Sequence, residues 1–319
     1  MRAIVARDKQ AVIVDLPDPQ PGEGELLVDV KATALNRADV LQVAGHYPPP
    51  PGAPEIIGLE FAGNVIETGP GAEGFAVGDR VMALVGGGGY AEKAIVHHEH
   101  ALHVPDNLSH EEAAAIPEAF LTAYSNMVEI GGLRAGERVL IHAGASGVGQ
   151  AAIQIANLMN ATVIVTASAG KHDICRAMGA DMTIDYKTEN FADRILAEYS
   201  GVHLIIEMVG APYWDDNMRA LEQWGRIVFV GLPGGAVKEV NFGQIMQKRA
   251  VVTGSTLRNR THERKSRLIA DFGEWALPHL ASGRLQANVW KVMALDEVGA
   301  ALDLMRNNQN AGKIVLKIE

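Results

Sequence analysis

The segment Val139-Leu140-Ile141-His142-Ala143-Gly144-Ala145-Ser146-Gly147-Val148-Gly149-Gln150 limits the possible folds more than any other stretch of this chain. An apolar strand candidate enters a loop holding three glycines, and Gln150–Asn160 then carries apolar residues at helical spacing. Glycines at such a junction permit a tight turn and close approach of backbone to a pyrophosphate. The helix N-terminus adds unpaired N–H groups and a favourable dipole, which makes Ser146, Gly147 and Val148 candidate pyrophosphate contacts. The order is G-x-x-G-x-G and not the strict G-x-G-x-x-G, so the surroundings have to carry the inference.

They do so through a repeated rhythm. Thr162–Ala167, Met182–Asp185, Val202–Val209, Arg226–Leu232 and Ala250–Thr256 are further strand candidates, with helix-like segments between most of them. Continuous β-branched runs such as Val163-Ile164-Val165 suit strands covered on both faces, and the alternation predicts a doubly wound parallel sheet. Before Ala113 the pattern differs. Met1–Ala6, Ala11–Leu16, Glu25–Ala34, Gly63–Thr68, Arg80–Val85 and Tyr90–Val96 are short strand candidates broken by Pro17-Asp18-Pro19, Gly69-Pro70-Gly71 and Gly78-Asp79. That spacing predicts a partly closed, mostly antiparallel barrel. The tail reads as a strand over Val289–Leu295, a helix over about 296–307 and a strand over Lys313–Ile318, which should return to the first domain. A chain of 319 residues exceeds the usual size of one core. The expected division is a barrel domain over 1–120 and 289–319 and a Rossmann-type domain over 121–288.

The end of the second sheet strand decides which dinucleotide fits. There an acidic residue would grip the ribose of NAD. The chain instead reads Thr166-Ala167-Ser168-Ala169-Gly170-Lys171. A hydroxyl on Ser168 and an ammonium on Lys171 suit a 2′-phosphate that a carboxylate would repel, so NADPH is the expected cofactor. Tyr186, after the third strand, is a further candidate contact. Ligands of open α/β sheets sit beyond the carboxyl ends of the strands, which adds Val209, Gly210, Val230, Gly231, Leu232, Ser255, Thr256 and Leu257.

Other chemistry is disfavoured. A formal charge of -10 works against binding to phosphate backbones, so no nucleic-acid partner is expected. The N-terminus meets charge too early for a secretory apolar run, and no segment has the apolar length to span a bilayer, which predicts a cytoplasmic location without membrane contact. Cys175 is the one cysteine, which excludes a four-cysteine zinc site. His97, His98, His100 and His103 cluster in sequence, but neighbours in an extended segment face opposite sides, so they read as surface or core-edge histidines and no metal site is expected.

Several motifs taken together resemble the zinc-free, zeta-crystallin-like quinone oxidoreductases of the medium-chain dehydrogenase/reductase superfamily. They are Ala34-Leu35-Asn36-Arg37-Ala38-Asp39, Gly58-Leu59-Glu60-Phe61-Ala62-Gly63, Ile116-Pro117-Glu118-Ala119-Phe120-Leu121-Thr122-Ala123-Tyr124, Ser146-Gly147-Val148-Gly149 and Gly312-Lys313-Ile314-Val315-Leu316. The resemblance implies a GroES-like barrel beside the Rossmann-type sheet. It also implies that Thr122 approaches the nicotinamide, that Lys313 reaches toward the cofactor, and that Asn36, Asp39 and Tyr47 line the cleft as candidate catalytic residues. Tyr47 or Asn36 would donate to a developing oxyanion. Where zinc-dependent relatives carry a Cys and a His before Glu60, this chain has Asn36 and Leu59, which implies hydride transfer without metal to an acceptor that is already electrophilic.

A quinone meets that condition. An alkenal, enone or enoyl thioester also does, which leaves a double-bond reductase as the alternative, and a non-catalytic NADPH sensor or RNA-binding protein as the second. Family likeness, together with an edge-strand candidate at Ala250–Thr256, implies a homodimer or homotetramer.

Overall fold

Asp8 and Lys9 take positive φ, 49° and 61°, the two-residue turn whose twist matches its flanking strands. They fold β1 (Arg2–Arg7) back on β2 (Gln10–Asp15) in register from Arg2↔Asp15 to Arg7↔Gln10. The computed structural model describes residues 1–319. The chain continues through β3 (Glu25–Ala34), α1 (Arg37–Val43), β4 (Glu60–Thr68), β5 (Arg80–Leu84), β6 (Lys93–His97) and β7 (Ala101–His103). Two short helices follow, α2 (His110–Ala114) and α3 (Pro117–Tyr124), and α3 runs on into a π-helical turn over Ser125–Ile130.

The next segment alternates strictly: β8 (Arg138–Ile141), α4 (Gly147–Leu158), β9 (Thr162–Ala167), α5 (His172–Ala177), β10 (Met182–Asp185), α6 (Phe191–Glu198), β11 (Val202–Glu207), α7 (Trp214–Ala220), β12 (Leu221–Phe229), α8 (Phe242–Lys248) and β13 (Val251–Gly254). The strands form one parallel sheet in the order β10-β9-β8-β11-β12-β13. Val163, Ile164 and Val165 are fully buried, as strands covered on both faces require. The order reverses between β8 and β11, so this is the doubly wound sheet, with its switch point at the glycine loop.

Last come α9 (His262–Ala281), β14 (Val289–Ala294), α10 (Val298–Arg306) and β15 (Lys313–Lys317). β15 lies antiparallel to β3, with Val315 opposite Ala34, and completes a seven-stranded sheet in which β6 also pairs with β3. The barrel unit is therefore discontinuous. Its core joins Ile4, Leu26, Val28, Phe61 and Val81 to Leu302, Met305, Ile314 and Leu316 from the far end of the chain.

By contacts the chain divides into Met1–Leu121 with Leu257–Glu319, and Thr122–Thr256. The return to the first unit thus comes at Leu257, earlier than the expected 289. Packing of α9 is the reason. A Cβ on Gly273 would lie 2.7 Å from a methyl of Leu102, so glycine there lets the helix close on β7, and Asn107 Nδ2 donates to the Leu280 carbonyl at 3.1 Å. The strand expected over Val202–Val209 also stops early, because the Glu207 carboxylate captures the amides of Val209 and Gly210.

Candidate functional site

At the head of α4 the Ser146 hydroxyl accepts from the Gly149 amide at 3.0 Å and caps the helix. The amides of Gly147 and Val148, first in the helix, have no acceptor within it and stand available to an anion. A Cβ on Gly149 would fall 2.4 Å from the Ala143 carbonyl oxygen, and one on Gly144 2.7 Å from the Val165 side chain. Only glycine lets loop, strand and helix approach so closely.

β9 ends where Ser168 begins a 3-10 turn over Ala169–Lys171; both Ser168 and Lys171 are half-buried. The next strand end carries an acid, Asp185, but its carboxylate accepts from the Lys187 amide at 3.1 Å and the Thr188 hydroxyl at 3.2 Å, which occupies it locally. Tyr186 beside it is exposed. The residues around the loop therefore fit a phosphorylated dinucleotide: anion-binding amides, a hydroxyl and an ammonium, with the adjacent carboxylate turned to its own turn.

Sequence reasoning missed the polar network that shapes the rest of this sheet edge. The Thr166 hydroxyl donates to His142 Nδ1 at 2.9 Å, and His142 Nε2–H donates to Asn217 Oδ1 at 2.8 Å. Asn217 Nδ2 in turn donates to Glu207 Oε2, and Glu207 Oε1 accepts the amides of Val209 and Gly210. His142, Asn217 and Glu207 are fully buried. Burial holds the imidazole below its usual pKa, and this sequence of donors assigns it one proton, on Nε2. The network ties the ends of β8, β9 and β11 to α7. Gly210 has φ 111°, which favours glycine. Val230–Leu232 follow β12, where the Val230 amide donates to the Glu207 carbonyl at 2.9 Å.

Thr122 and Ser255, far apart in sequence, meet through Asn126. Asn126 Nδ2 donates to the Thr122 carbonyl at 2.7 Å, and its Oδ1 accepts from the Ser255 hydroxyl at 2.6 Å. The π-helical turn after Thr122 makes room for this side chain. Thr256 ends this unit, and Leu257 is buried in the other. Cys175 is buried, and burial pushes its thiol up to about 11, so it offers no nucleophile.

In the barrel unit the residues at Asn36, Asp39 and Lys313 converge on a buried ion pair. Glu60 Oε1 accepts from Lys313 Nζ and Asn36 Nδ2, each at 2.7 Å, and Oε2 accepts from the Glu118 amide at 2.8 Å. Lys313 gives its other two protons to the Leu35 carbonyl at 2.8 Å and Asn36 Oδ1 at 2.7 Å. All three donors of the ammonium are thereby engaged, so the expected reach of Lys313 toward a cofactor gives way to neutralising Glu60. Asn36 is engaged likewise, with both ends of its amide bonded inside the protein. Nor do these residues fit a zinc ion: Leu59 is aliphatic, the Asn36 oxygen already faces an ammonium, and Glu60 is paired.

Asp39 is fully buried; its Oδ2 accepts from the Asn36 amide and the Tyr90 hydroxyl, each at 2.7 Å, while Oδ1 is left without a partner. Burial pushes it up to about 6, against the pull of the Tyr90 and Asn36 bonds. Burial, with Glu60 nearby, pushes Glu118 up to about 8, so both carboxyls are easily protonated.

Tyr47 is half-buried and held by a residue the sequence reading did not select. The Arg258 guanidinium lies 5.1 Å from its ring centre and donates to the Tyr47 carbonyl (3.2 Å), the Gly86 carbonyl (2.8 Å) and Gln42 Oε1 (2.8 Å). Burial raises the phenol pKa, so it remains a hydroxyl donor at neutral pH. No local signal marks Arg258, because its partners lie some 170 or more positions away.

Comparison with known proteins gives the following. Residues 22–106 match the alcohol dehydrogenase GroES-like domain, and residues 147–272 match the zinc-binding dehydrogenase family. The chain is 31% identical to quinone oxidoreductase-like protein 2 of Bos taurus over 327 residues, covering 99% of this chain and 92% of that protein. A mycobacterial protein solved in complex with NADPH superposes with a TM-score of 0.89 at 27% identity, over 100% of both chains. The CurK enoyl reductase superposes with a TM-score of 0.88 at 26% identity, over 100% of this chain and 99% of that one.

Proposed function

Because the chain belongs to the medium-chain dehydrogenase/reductase superfamily, we propose that it is an NADPH-dependent oxidoreductase that reduces a quinone without a metal ion. The observation that carries the cofactor reading is the end of β9, where Ser168 and Lys171 stand and no carboxylate does. The amides of Gly147 and Val148, with Ser146 capping the helix, hold the pyrophosphate. Ser168 and Lys171 hold the 2′-phosphate, with Tyr186 beside them. Thr122, Val209, Gly210, Val230, Gly231, Leu232, Ser255 and Thr256 line the remainder of the path. The bound cofactor supplies hydride from its nicotinamide.

The protein's part is to bind, orient and donate a proton. Tyr47 is the candidate donor to the oxygen that gains charge, and Arg258 positions it. Asn36 and Asp39, bonded to each other and to Glu60 and Tyr90, act as positioning residues. Metal-free transfer is supported by the donor set at Asn36, Leu59 and Glu60, and it requires an acceptor electrophilic on its own, as quinones are.

The likeness to an enoyl reductase favours one second reading, reduction of an activated double bond in an alkenal, enone or enoyl thioester. No helix is long and apolar enough to cross a membrane, which agrees with a cytoplasmic enzyme acting on a small molecule. The edge strand β13, with Val251 exposed, supports a homodimer formed by strand pairing. Initial rates with NADPH and NADH against a naphthoquinone and a 2-alkenal test the proposal. Faster NADPH consumption with the quinone supports it; preference for the alkenal moves the assignment to double-bond reduction. A preference for NADH overturns it. Binding of RNA at physiological salt without NADPH consumption would instead mark a non-catalytic protein.

A further inference from the structure

We propose that His97, Glu99 and His262 form a binding site for a divalent transition-metal ion of the zinc class, tying the segment after β6 to the first turn of α9. The site shares no residue with the nucleotide loop or the Glu60 cluster. One ligand atom from each residue lies within 4.8 Å of the other two. His262 Nε2 is 2.8 Å and His97 Nδ1 3.8 Å from Glu99 Oε2. Ligands around a tetrahedral zinc at ordinary bond lengths stand about 3.4 Å apart, so these spacings bracket the requirement and small side-chain rotations meet it. Two imidazole nitrogens and one carboxylate oxygen select zinc, cobalt, nickel or copper over magnesium or calcium.

The surroundings prepare the donors. The Ser266 hydroxyl, one turn along α9 from His262, lies 2.9 Å from Glu99 Oε2, the oxygen that faces both imidazoles, and 3.0 Å from the His262 carbonyl. The His97 lone pair meets only the Glu99 amide, at 3.3 Å, a long bond that a metal would displace. The His100 ring packs 4.7 Å from that of His262 and shields one side. The His97 ring also stands edge-on to that of His262, with centroids 4.4 Å apart, so both imidazoles lie beside the Glu99 carboxylate.

Such an ion would cross-link two segments more than 160 positions apart, and its binding would appear as stability. Chelator-stripped full-length protein is titrated with zinc chloride by calorimetry, in parallel with His262→Gln, Glu99→Gln and, as a control outside the cluster, His103→Gln. One tight site per chain is expected, with a rise in melting temperature. Affinity should fall by more than roughly tenfold in His262→Gln and Glu99→Gln and stay unchanged in His103→Gln. Cobalt should give the visible absorption of a low-coordinate site in the wild type and lose it in His262→Gln. Absence of zinc binding, or equal affinity in all variants, overturns the proposal. Because the readouts are binding and melting, a failed quinone assay would leave this result unaffected.

Discussion

Replacing Lys313 by Met removes the ammonium while keeping most of the side-chain volume, and it separates two roles for this residue. Lys313 is 4% exposed and Glu60 0%, and the pair is closed at 2.7 Å with every ammonium proton bonded. Removing one partner of such a pair strands the other as a buried charge, at a cost of about 3–5 kcal/mol. The Asn36 oxygen and the Leu35 carbonyl lose a donor as well, which places the effect toward the upper end of that range. For a unit of this size the loss corresponds to roughly 6–20 °C in melting temperature. Lys313→Met/Glu60→Gln, in which no charge is stranded, should recover part of it, and the cycle of single and double variants measures the coupling. Calorimetric melting reads the stability, and fluorescence titration reads NADPH affinity. The expected pattern is a large loss of stability with NADPH affinity changed by less than about threefold, since no NADPH contact of Lys313 is lost. Unchanged melting together with a tenfold weaker affinity would refute the assignment and restore Lys313 to the cofactor.

Four further outcomes follow from the same geometry. Lys171→Ala and Ser168→Ala should each raise the KM for NADPH by about tenfold, the worth of a charge-assisted hydrogen bond, and leave the KM for NADH unchanged in steady-state kinetics. Tyr47→Phe should lower kcat by about a hundredfold with NADPH affinity intact, which single-turnover measurement distinguishes from a binding defect. Asn217→Leu leaves Glu207 Oε2 and the His142 N–H unpaired, and should reduce stability by about 3–5 kcal/mol by urea titration, with an unchanged midpoint as the contrary result. Asp39, raised to about 6 in the folded state, favours its protonated form, so its contribution to stability is full below the ordinary carboxylate range near 4 and is lost as pH rises through about 6. Urea midpoints between pH 4 and 7 should fall more steeply for wild type than for Asp39→Asn, by an amount on the order of 3 kcal/mol; parallel profiles would contradict it.

Residues 139–150 and the alternating runs after them were sufficient to foretell the parallel sheet, and the strands over Thr162–Ala167 and Met182–Asp185 lie where expected. Strand periodicity, turn glycines and an apolar run before a helix are local properties, so they can be read without knowing what packs on them. The hydroxyl and ammonium after β9 are legible for the same reason: they follow a strand end by a fixed number of positions. Strand limits near Glu207 were less legible, because a side chain that caps its own following amides leaves no periodic trace.

What only the tertiary structure decided is which charges are buried together. Lys313 meets Glu60 across 253 positions, and the buried Arg258 meets Gln42 across 216. Their composition and spacing fit a solvated surface equally well. Burial removes that option, since a charge taken from water must find its counter-charge and hydrogen bonds inside. The sequence by itself therefore determined the sheet, the glycine loop between β8 and α4 and the family, whereas the fold determined that Asn36, Asp39 and Lys313 brace one another, leaving Tyr47 as the candidate proton donor.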